Sequence, residues 1–492
     1  VSLLLALTLA SIASAGVRHI EDEENTGHVV IQMEVTPADE PSPVFEHRLT
    51  YGVHERLPGN RPQWYARAYP ESHVAWSMWN KLASSDDFEP YYSSGTPVDE
   101  VAWDKLDSQG RKLSRSLVED HVVPGARRRD CDWGIRSEQF TGAEFFSLLL
   151  PEFNSARSLA RLLNLQIRLA IHERRYDDAV RYLRTQYQLG ADVGEEPIVI
   201  CGFVGIAITS IANVGVADLI AAPNSPNLYW ALSEIPATPV PIGPAVRNEL
   251  SIAQRYFANL DELEKAEKLP EEWNAHWKSS VGRVFDTIRN YSDPASQFES
   301  SERVAPAITG LLGYSHAKQR LIDWGYPSDE VEAMPVGQVL SLYSARVSQT
   351  AADKYWQAFV APYSAKQFRN GAEAGNYFRA NATLTDGADR ELLPIVSQLM
   401  PATQSARSAE MRVARELAAL RVIEALRMHA ARNEGRWPDA LDDVTCVPVP
   451  LNPATDKPFV YHRDGETAVL ELPESEGFPG YSRRYEITIA KP

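Results

Sequence analysis

The chain has 492 residues, with 66 acidic side chains against 49 Lys and Arg, a net charge of −17. That balance excludes a protein whose main task is to coat nucleic acid and disfavours docking on an anionic membrane. A content of 44% apolar and 23% charged residues allows large cores, over two or three domains of ~150 residues each. Only 3 cysteines are present, too few for a disulfide-built scaffold or a four-thiolate zinc site in one chain.

In chain order the first feature is an address. Leu3 to Ala13 is apolar and uncharged and closes on Ala13-Ser14-Ala15, the small-x-small pattern cut by signal peptidases. It falls short of the ~20 apolar residues that span a bilayer. Residues 1–15 therefore read as a signal peptide cleaved after Ala15, and the mature chain, which keeps the whole negative charge, is expected in the periplasm or secreted. Residues 16–62 read as an N-terminal extended segment. After the acidic Glu21-Asp22-Glu23-Glu24, the stretch His28 to Val35 alternates like a half-buried strand, with Val29, Ile31, Met33 and Val35 on one side. Val44 to Val53 reads as a second strand, and the loop Leu57 to Pro62 ends extended structure.

Residues 63–402 read as a helical array. Between Ser158 and Glu173, a 3.6 period gathers Leu159, Leu162, Leu163, Gln166, Leu169 and Ala170 on one face and sets Arg161, Asn164, Arg168 and His172 opposite. The turn Arg175-Tyr176-Asp177 leads into a second helix through Ala179, Val180, Leu183 and Tyr187, a hairpin of tetratricopeptide style without a repeating period elsewhere. Ile198 to Ala217 has no charge and is long enough to span a membrane. Its Gly, Ser, Thr and Asn content, acidic flanks and lack of Lys or Arg before Arg247 favour a buried core helix and no membrane span in the mature chain. Pro223 to Pro244 leaves room for a turn or two of helix around Leu228 to Leu232. Helical patterns then run to about Met400, broken at Pro270, Ser292 to Pro294, Pro327, Pro335 and Pro362, as in antiparallel packed helices.

Residues 403–492 read as a long helix plus a β tail. From Ser405 to Asn433 the apolar side chains occupy two flanks, one with Val413, Leu417, Leu420 and Met428, the other with Met411, Val422 and Leu426, so this helix should touch neighbours on both sides. Its arginines are spread around the axis and read as snorkelling or ion-paired, with no nucleic-acid stripe. Phe459 to Tyr461, Ala468 to Glu471 and Tyr485 to Ile489 read as a small β-meander. The fold class expected is mainly α: an irregular antiparallel helical array with one tetratricopeptide-like hairpin, short N-terminal strands and a C-terminal meander.

Arg436-Trp437-Pro438-Asp439-Ala440-Leu441, Val449-Pro450-Leu451-Asn452-Pro453 and Lys457-Pro458-Phe459-Val460-Tyr461 resemble the end of the type II secretion pseudopilins. There a long helix turns through an Arg-aromatic-Pro corner into a Pro-x-Asp-Pro loop and an aromatic strand. This chain has Asn452 in place of the Asp, and the resemblance does not extend to filament assembly. The chain also resembles a family of exported, mostly helical bacterial proteins without an assigned activity. The passages that carry this are Leu57 to Asn60, Cys131 to Gly134, Arg175 to Ala179 and Glu332 to Pro335.

Motifs for catalysis are sparse. No His-Glu-x-x-His, Walker loop or Gly-x-Gly-x-x-Gly occurs, and no Glu stands three residues before any His. Glu272 and His276 share a helix face as a surface pair. Gly313 to Ala317 begins like a nucleophile elbow but lacks its closing Gly. Cys201 reads as a buried small hydrophobe. Cys131 follows Arg127-Arg128-Arg129-Asp130, which admits a thiolate steadied by cations or, more simply, a packed or disulfide-paired thiol. No residue is assigned as catalytic, cofactor-binding or metal-ligating, and no cofactor is implied. Two function classes follow: an exported scaffold binding a protein or glycan partner through inter-helix grooves, or a carboxylate enzyme acting on polysaccharide. The second is motivated by the aromatics Trp64, Tyr65, Tyr69, Trp76, Trp79, Tyr91 and Tyr92. A dry aromatic cluster favours the scaffold; a cleft with two facing carboxylates and exposed Trp favours the enzyme.

Overall fold

A computed structural model of the chain describes residues 17–21, 28–69, 74–83, 85–93, 96–106, 108–139, 151–255, 259–291, 305–360, 403–474 and 481–490. The expected signal peptide, the acidic run beyond Glu21 and the breaks at Ser292 to Pro294 and Pro362 lie outside the described residues. The fold is mainly α with short strands toward both ends. The strands are β1 (Val17–Glu21), β2 (His28–Val35), β3 (Leu57–Asn60), β4 (Arg128–Asp130), β5 (Val460–Asp464), β6 (Thr467–Leu472) and β7 (Ser482–Ile489). The helices are α1 (Arg61–Tyr65), α2 (Val74–Ala83), α3 (Ser108–Leu117), α4 (Val123–Ala126), α5 (Pro151–His172), α6 (Tyr176–Gly194), α7 (Val199–Ile220) and α8 (Tyr229–Ser233). Then follow α9 (Gly243–Arg255), α10 (Leu260–Glu264), α11 (Pro270–Tyr291), α12 (Ala305–Asp323), α13 (Ser328–Ala333), α14 (Val336–Val360) and α15 (Thr403–Arg432).

The strands from both ends of the sequence share one sheet of order β1-β2-β7-β6-β5, in which only the β2–β7 pair is parallel. Its register explains the alternation read in His28 to Val35. Ile31 lies opposite Tyr485, which lies opposite Leu470; Met33 lies opposite Ile487, which lies opposite Ala468. These rows are buried and continue into the helical core, each large side chain contributing roughly 1.5–3 kcal/mol by its burial.

Two expectations about extended structure fail. Val44 to Val53 forms turns, because its alternation has no second layer to meet: Phe45 and Val53 are exposed, and only Leu49 enters the core. Conversely, Leu57–Asn60 forms β3, pairing in parallel with β4. Gly59 adopts φ +121°, a conformation open to glycine, where the register shifts between Leu57 and Asn60.

The hairpin α5–α6 and the apolar α7 form the centre. The face of α5 expected to meet solvent does so at Arg161 and His172, but Asn164 and Arg168 are buried. A preceding loop covers them: Asn164 Nδ2 donates to the Tyr92 carbonyl at 2.6 Å, and Arg168 donates to the Thr96 carbonyl and, at 2.6 Å, to Asp218 of α7. By length and composition α7 could cross a membrane, yet it packs against α5, α6 and α15. The α6–α7 crossing is close enough to demand glycine, since a Cβ on Gly205 would stand 2.5 Å from the Gly190 carbonyl oxygen.

A second apolar cluster is built by α9–α14 together with Ala406, Ala409 and Val413 of α15, while Leu417 to Ala430 of α15 belong to the first. The long helix thus serves both clusters, but the division runs along its length and not by the two flanks expected: Val413 joins the second cluster, while Leu417, Leu420 and Met428 of its flank join the first together with Val422 and Leu426 of the other. Its arginines find local anchors. Arg427 is fully buried against Glu424 at 2.8 Å and holds the Thr36 and Ser225 carbonyls, and Arg432 meets Asp39 at 2.7 Å and Glu40 at 3.1 Å. After α15, Trp437 is buried and donates through Nε1 to the Glu466 carbonyl at 3.1 Å, while Tyr461 donates to the Pro438 carbonyl at 2.8 Å, which fixes the corner that returns the chain to the sheet.

Candidate functional site

The most developed group of titratable side chains lies where α1, β4 and the end of α6 meet. Helical spacing assembles it. Arg61 and Tyr65 stand four apart on α1, Gln188 and Asp192 four apart on α6, so each pair projects from one face of its helix. The Asp192 carboxylate sits at the centre. One oxygen accepts from Arg61 Nη1 at 3.0 Å and Gln188 Nε2 at 2.5 Å; the other accepts from the Tyr65 hydroxyl at 2.6 Å. Its backbone carbonyl accepts from Trp133 Nε1 at 2.8 Å and faces the Cys131 thiol at 3.6 Å. Burial pushes the Asp192 carboxyl up to about 6, against the pull of Arg61, Tyr65 and Gln188. Burial, reinforced by the Asp192 carboxylate, also raises the Tyr65 hydroxyl.

Cys131 is a free thiol, raised by burial first and then by Asp192 and Glu195. The thiolate reading drawn from Arg127-Arg128-Arg129 is thus not favoured, because burial and the Asp192 and Glu195 carboxylates outweigh the pull of Arg61. Cys201 is likewise free and wholly buried, as read from its apolar surroundings.

Ligand atoms of Cys131, Asp192 and Glu195 lie within 4.8 Å of one another. The donor set suits a thiophilic divalent cation in kind, but the centre is taken. Arg61 Nη1 stands 3.0 Å from Asp192 and 4.0 Å from Glu195, and a cation bound there would have to displace it. Asp192 and Glu195 also bring two carboxylates within 4.8 Å of each other, and paired carboxylates are what glycosidases use. Asp192, however, is sealed from solvent with both oxygens engaged, while Glu195 is exposed.

Arg61 has a second role that shows what the network does. Its Nε and Nη2 donate to the Arg128 and Arg129 carbonyls at 2.8 and 2.9 Å, Arg56 Nη1 donates to the Ala126 carbonyl at 3.0 Å, and Leu57 N to the Arg127 carbonyl at 2.8 Å. Asn60 then pairs with the backbone of Asp132 in both directions, at 2.7 and 2.8 Å. Arg61, together with Arg56, Leu57 and Asn60, thus ties the backbone of residues 126–132 to β3 and α1. Asp132 itself is exposed and engaged with Gly134 N and Arg136.

The other candidates from the sequence fall apart. Glu272 accepts from Leu269 N at 2.7 Å, closing the start of α11 in the manner of a capping box, while His276 packs edge-on to Trp273. Gly313 to Ala317 lies inside α12, far from any strand-to-helix turn. Of the aromatics, Tyr65, Trp76, Trp79 and Tyr91 are buried, with Trp79 edge-on to Phe88 and Tyr92, and Tyr91 edge-on to Trp103. The cluster is dry. Trp64 differs, being half-buried beneath the guanidiniums of Arg67 and Arg128 at 4.3 and 3.9 Å.

Sequence reasoning did not find Arg61, Gln188 or Asp192. A signal existed: Asp192 is the one charge in Leu189-Gly190-Ala191-Asp192-Val193, where a core helix tolerates an acid only if it is paired. No family model, curated protein or solved structure matches the chain.

Proposed function

We propose that the chain is an exported helical scaffold that binds a partner through its surface. The observation that carries this reading is the inward turn of its chemistry. Asp192 spends both oxygens on Arg61, Gln188 and Tyr65, and the aromatics that might line a glycan cleft pack against one another. Export with cleavage after Ala15, the pseudopilin-like form of residues 403–492, and a mature chain in which Val199–Ile220 serves as core helix belong to the same proposal. The competing reading, a carboxylate enzyme on polysaccharide, draws support from Asp192 with its raised pKa beside Glu195.

The experiment expresses the full chain in a bacterial host, cross-links intact cells with formaldehyde, and sequences the N-terminus of the exported fraction. The scaffold reading expects Gly16 as first residue and a cross-linked adduct heavier than the chain. It is overturned by an uncleaved cytoplasmic chain, by an exported chain without an adduct, or by glycan turnover that Asp192→Asn abolishes.

A further inference from the structure

The segment held by Arg61 carries an uncommitted charge opposite in sign to the protein. Arg67, Arg128 and Arg129 form no ion pair among the described residues, and Arg127 acts on Glu55 only through its field, whereas neighbouring arginines bind carboxylates directly: Arg184 holds Glu55, Arg61 holds Asp192 and Arg136 holds Asp132. Arg67, Arg127 and Arg129 are exposed, with Asp130 as the acid among them. Against a net charge of −17, this is a basic island.

Its geometry narrows what it can take. Arg67 and Arg128 are stacked on the Trp64 ring; Arg128 already donates Nη1 to the Pro58 carbonyl at 3.1 Å, so the in-plane N–H groups left for a carboxylate or phosphate are chiefly those of Arg67, whose stacking removes rotamer freedom in advance. The carbonyls of Ala126 to Arg129 are occupied by Arg56, Leu57 and Arg61, so an incoming strand cannot extend the β3–β4 pair along those groups, and recognition falls to side chains. Beside the cations stands an exposed apolar side chain. Leu57, which is opposite Arg128 in the register, is 37% exposed. A long polyanion such as nucleic acid would reach past the island onto the acidic remainder, whereas a short segment mixing carboxylates with apolar side chains fits within it.

The geometry points to the Arg127–Arg129 strand, with Trp64 and Arg67, as a docking surface for an acidic polypeptide segment that intersperses Asp or Glu with apolar residues. This names the partner class for the proposed scaffold and rests on that reading. The buried Arg61–Asp192 pair acts at a distance as the positioning device of the surface.

The test uses the full mature chain and a short fluorescein-labelled peptide of Glu-Glu-Leu repeats, followed by anisotropy at low and high salt. Competitors are an unlabelled copy, a single-stranded oligonucleotide and phosphatidylglycerol vesicles. Binding weakened by salt, displaced best by the unlabelled peptide, and weakened by about tenfold or more in the exposed double variant Arg127→Glu/Arg129→Glu is the expected result. Circular dichroism checks that the variant is folded, and Trp64→Ala, which removes the stacking platform with no change of charge, should also weaken binding. The inference is overturned by no peptide binding at low salt, by equal binding to the double variant, or by better displacement with oligonucleotide or vesicles. If the peptide fails while the cross-linked adduct of the exported chain persists, this surface is rejected and the scaffold stands; loss of the adduct rejects the scaffold itself.

Discussion

Replacing Asp192 by Asn separates two accounts of the buried network. The side chain keeps its shape and one acceptor for Tyr65 but cannot titrate. In the native chain burial lifts this carboxyl from 3.8 to about 6, so between those values the native state holds a proton that the unfolded state has released. Protons bound in excess by the native state make the unfolding free energy fall as pH rises. The native chain should therefore lose stability relative to Asp192→Asn from about pH 4 to pH 6 and run parallel to it above. A shift of about two units at ~1.36 kcal/mol each gives roughly 3 kcal/mol for the whole excursion. Guanidinium titrations at a series of pH values measure it, with far-ultraviolet circular dichroism and tryptophan emission both recorded so that coincident transitions license a single unfolding free energy. A native-minus-variant difference that stays flat across this range refutes the reasoning. So does one that grows in favour of the native chain as pH rises, because it would mean that Arg61 outweighs burial and holds the carboxyl low.

Other outcomes follow from the same geometry. Asp218→Ala leaves Arg168 buried without its carboxylate and should lower the unfolding free energy by about 3–5 kcal/mol, most of it recovered in the double variant Arg168→Met/Asp218→Leu; a denaturant series on the native chain and the two variants checks this. Gly205→Ala puts a Cβ 2.5 Å from the Gly190 carbonyl oxygen and should destabilise by about 2 kcal/mol or more. Gly282→Ala, inside α11 with nothing within 4 Å of the new atom, should instead stabilise by about 1 kcal/mol; calorimetry on both settles the contrast. The raised thiols of Cys131 and Cys201 should resist a chromogenic thiol reagent at pH 8 until denaturant is added, and rapid native labelling at Cys131 would contradict its packing.

What the sequence makes legible here is whatever depends on periodicity. The helices after residue 151, the alternation of His28 to Val35 and the C-terminal strands can each be read from spacing alone, because an apolar stripe has to meet a core. Long-range partnership is what local pattern does not carry. Asn164 and Arg168 look solvated on a helical wheel, yet a loop some seventy positions earlier in sequence covers them. Leu57 to Asn60 looks like a stop, and becomes a strand because Arg127 to Asp130 supply its partner. The candidate site is invisible for the same reason: Arg61, Cys131 and Asp192 come from three separate stretches, and only the fold brings them together.

The placement of β7 between β2 and β6 bears on the order in which the molecule can form. His28 and Ser482 are neighbours in the sheet although 454 positions apart. Closing a loop of that length in a disordered chain is entropically slow, while the α5–α6–α7 hairpins close over short connections. Helices docked first shorten the effective loop, so the central hairpins should gain hydrogen-exchange protection early and the sheet last. Until β7 arrives, β2 and β6 each present an open edge, so a chain whose helices have formed but whose β7 has not yet docked holds a sheet open to pairing with a neighbour.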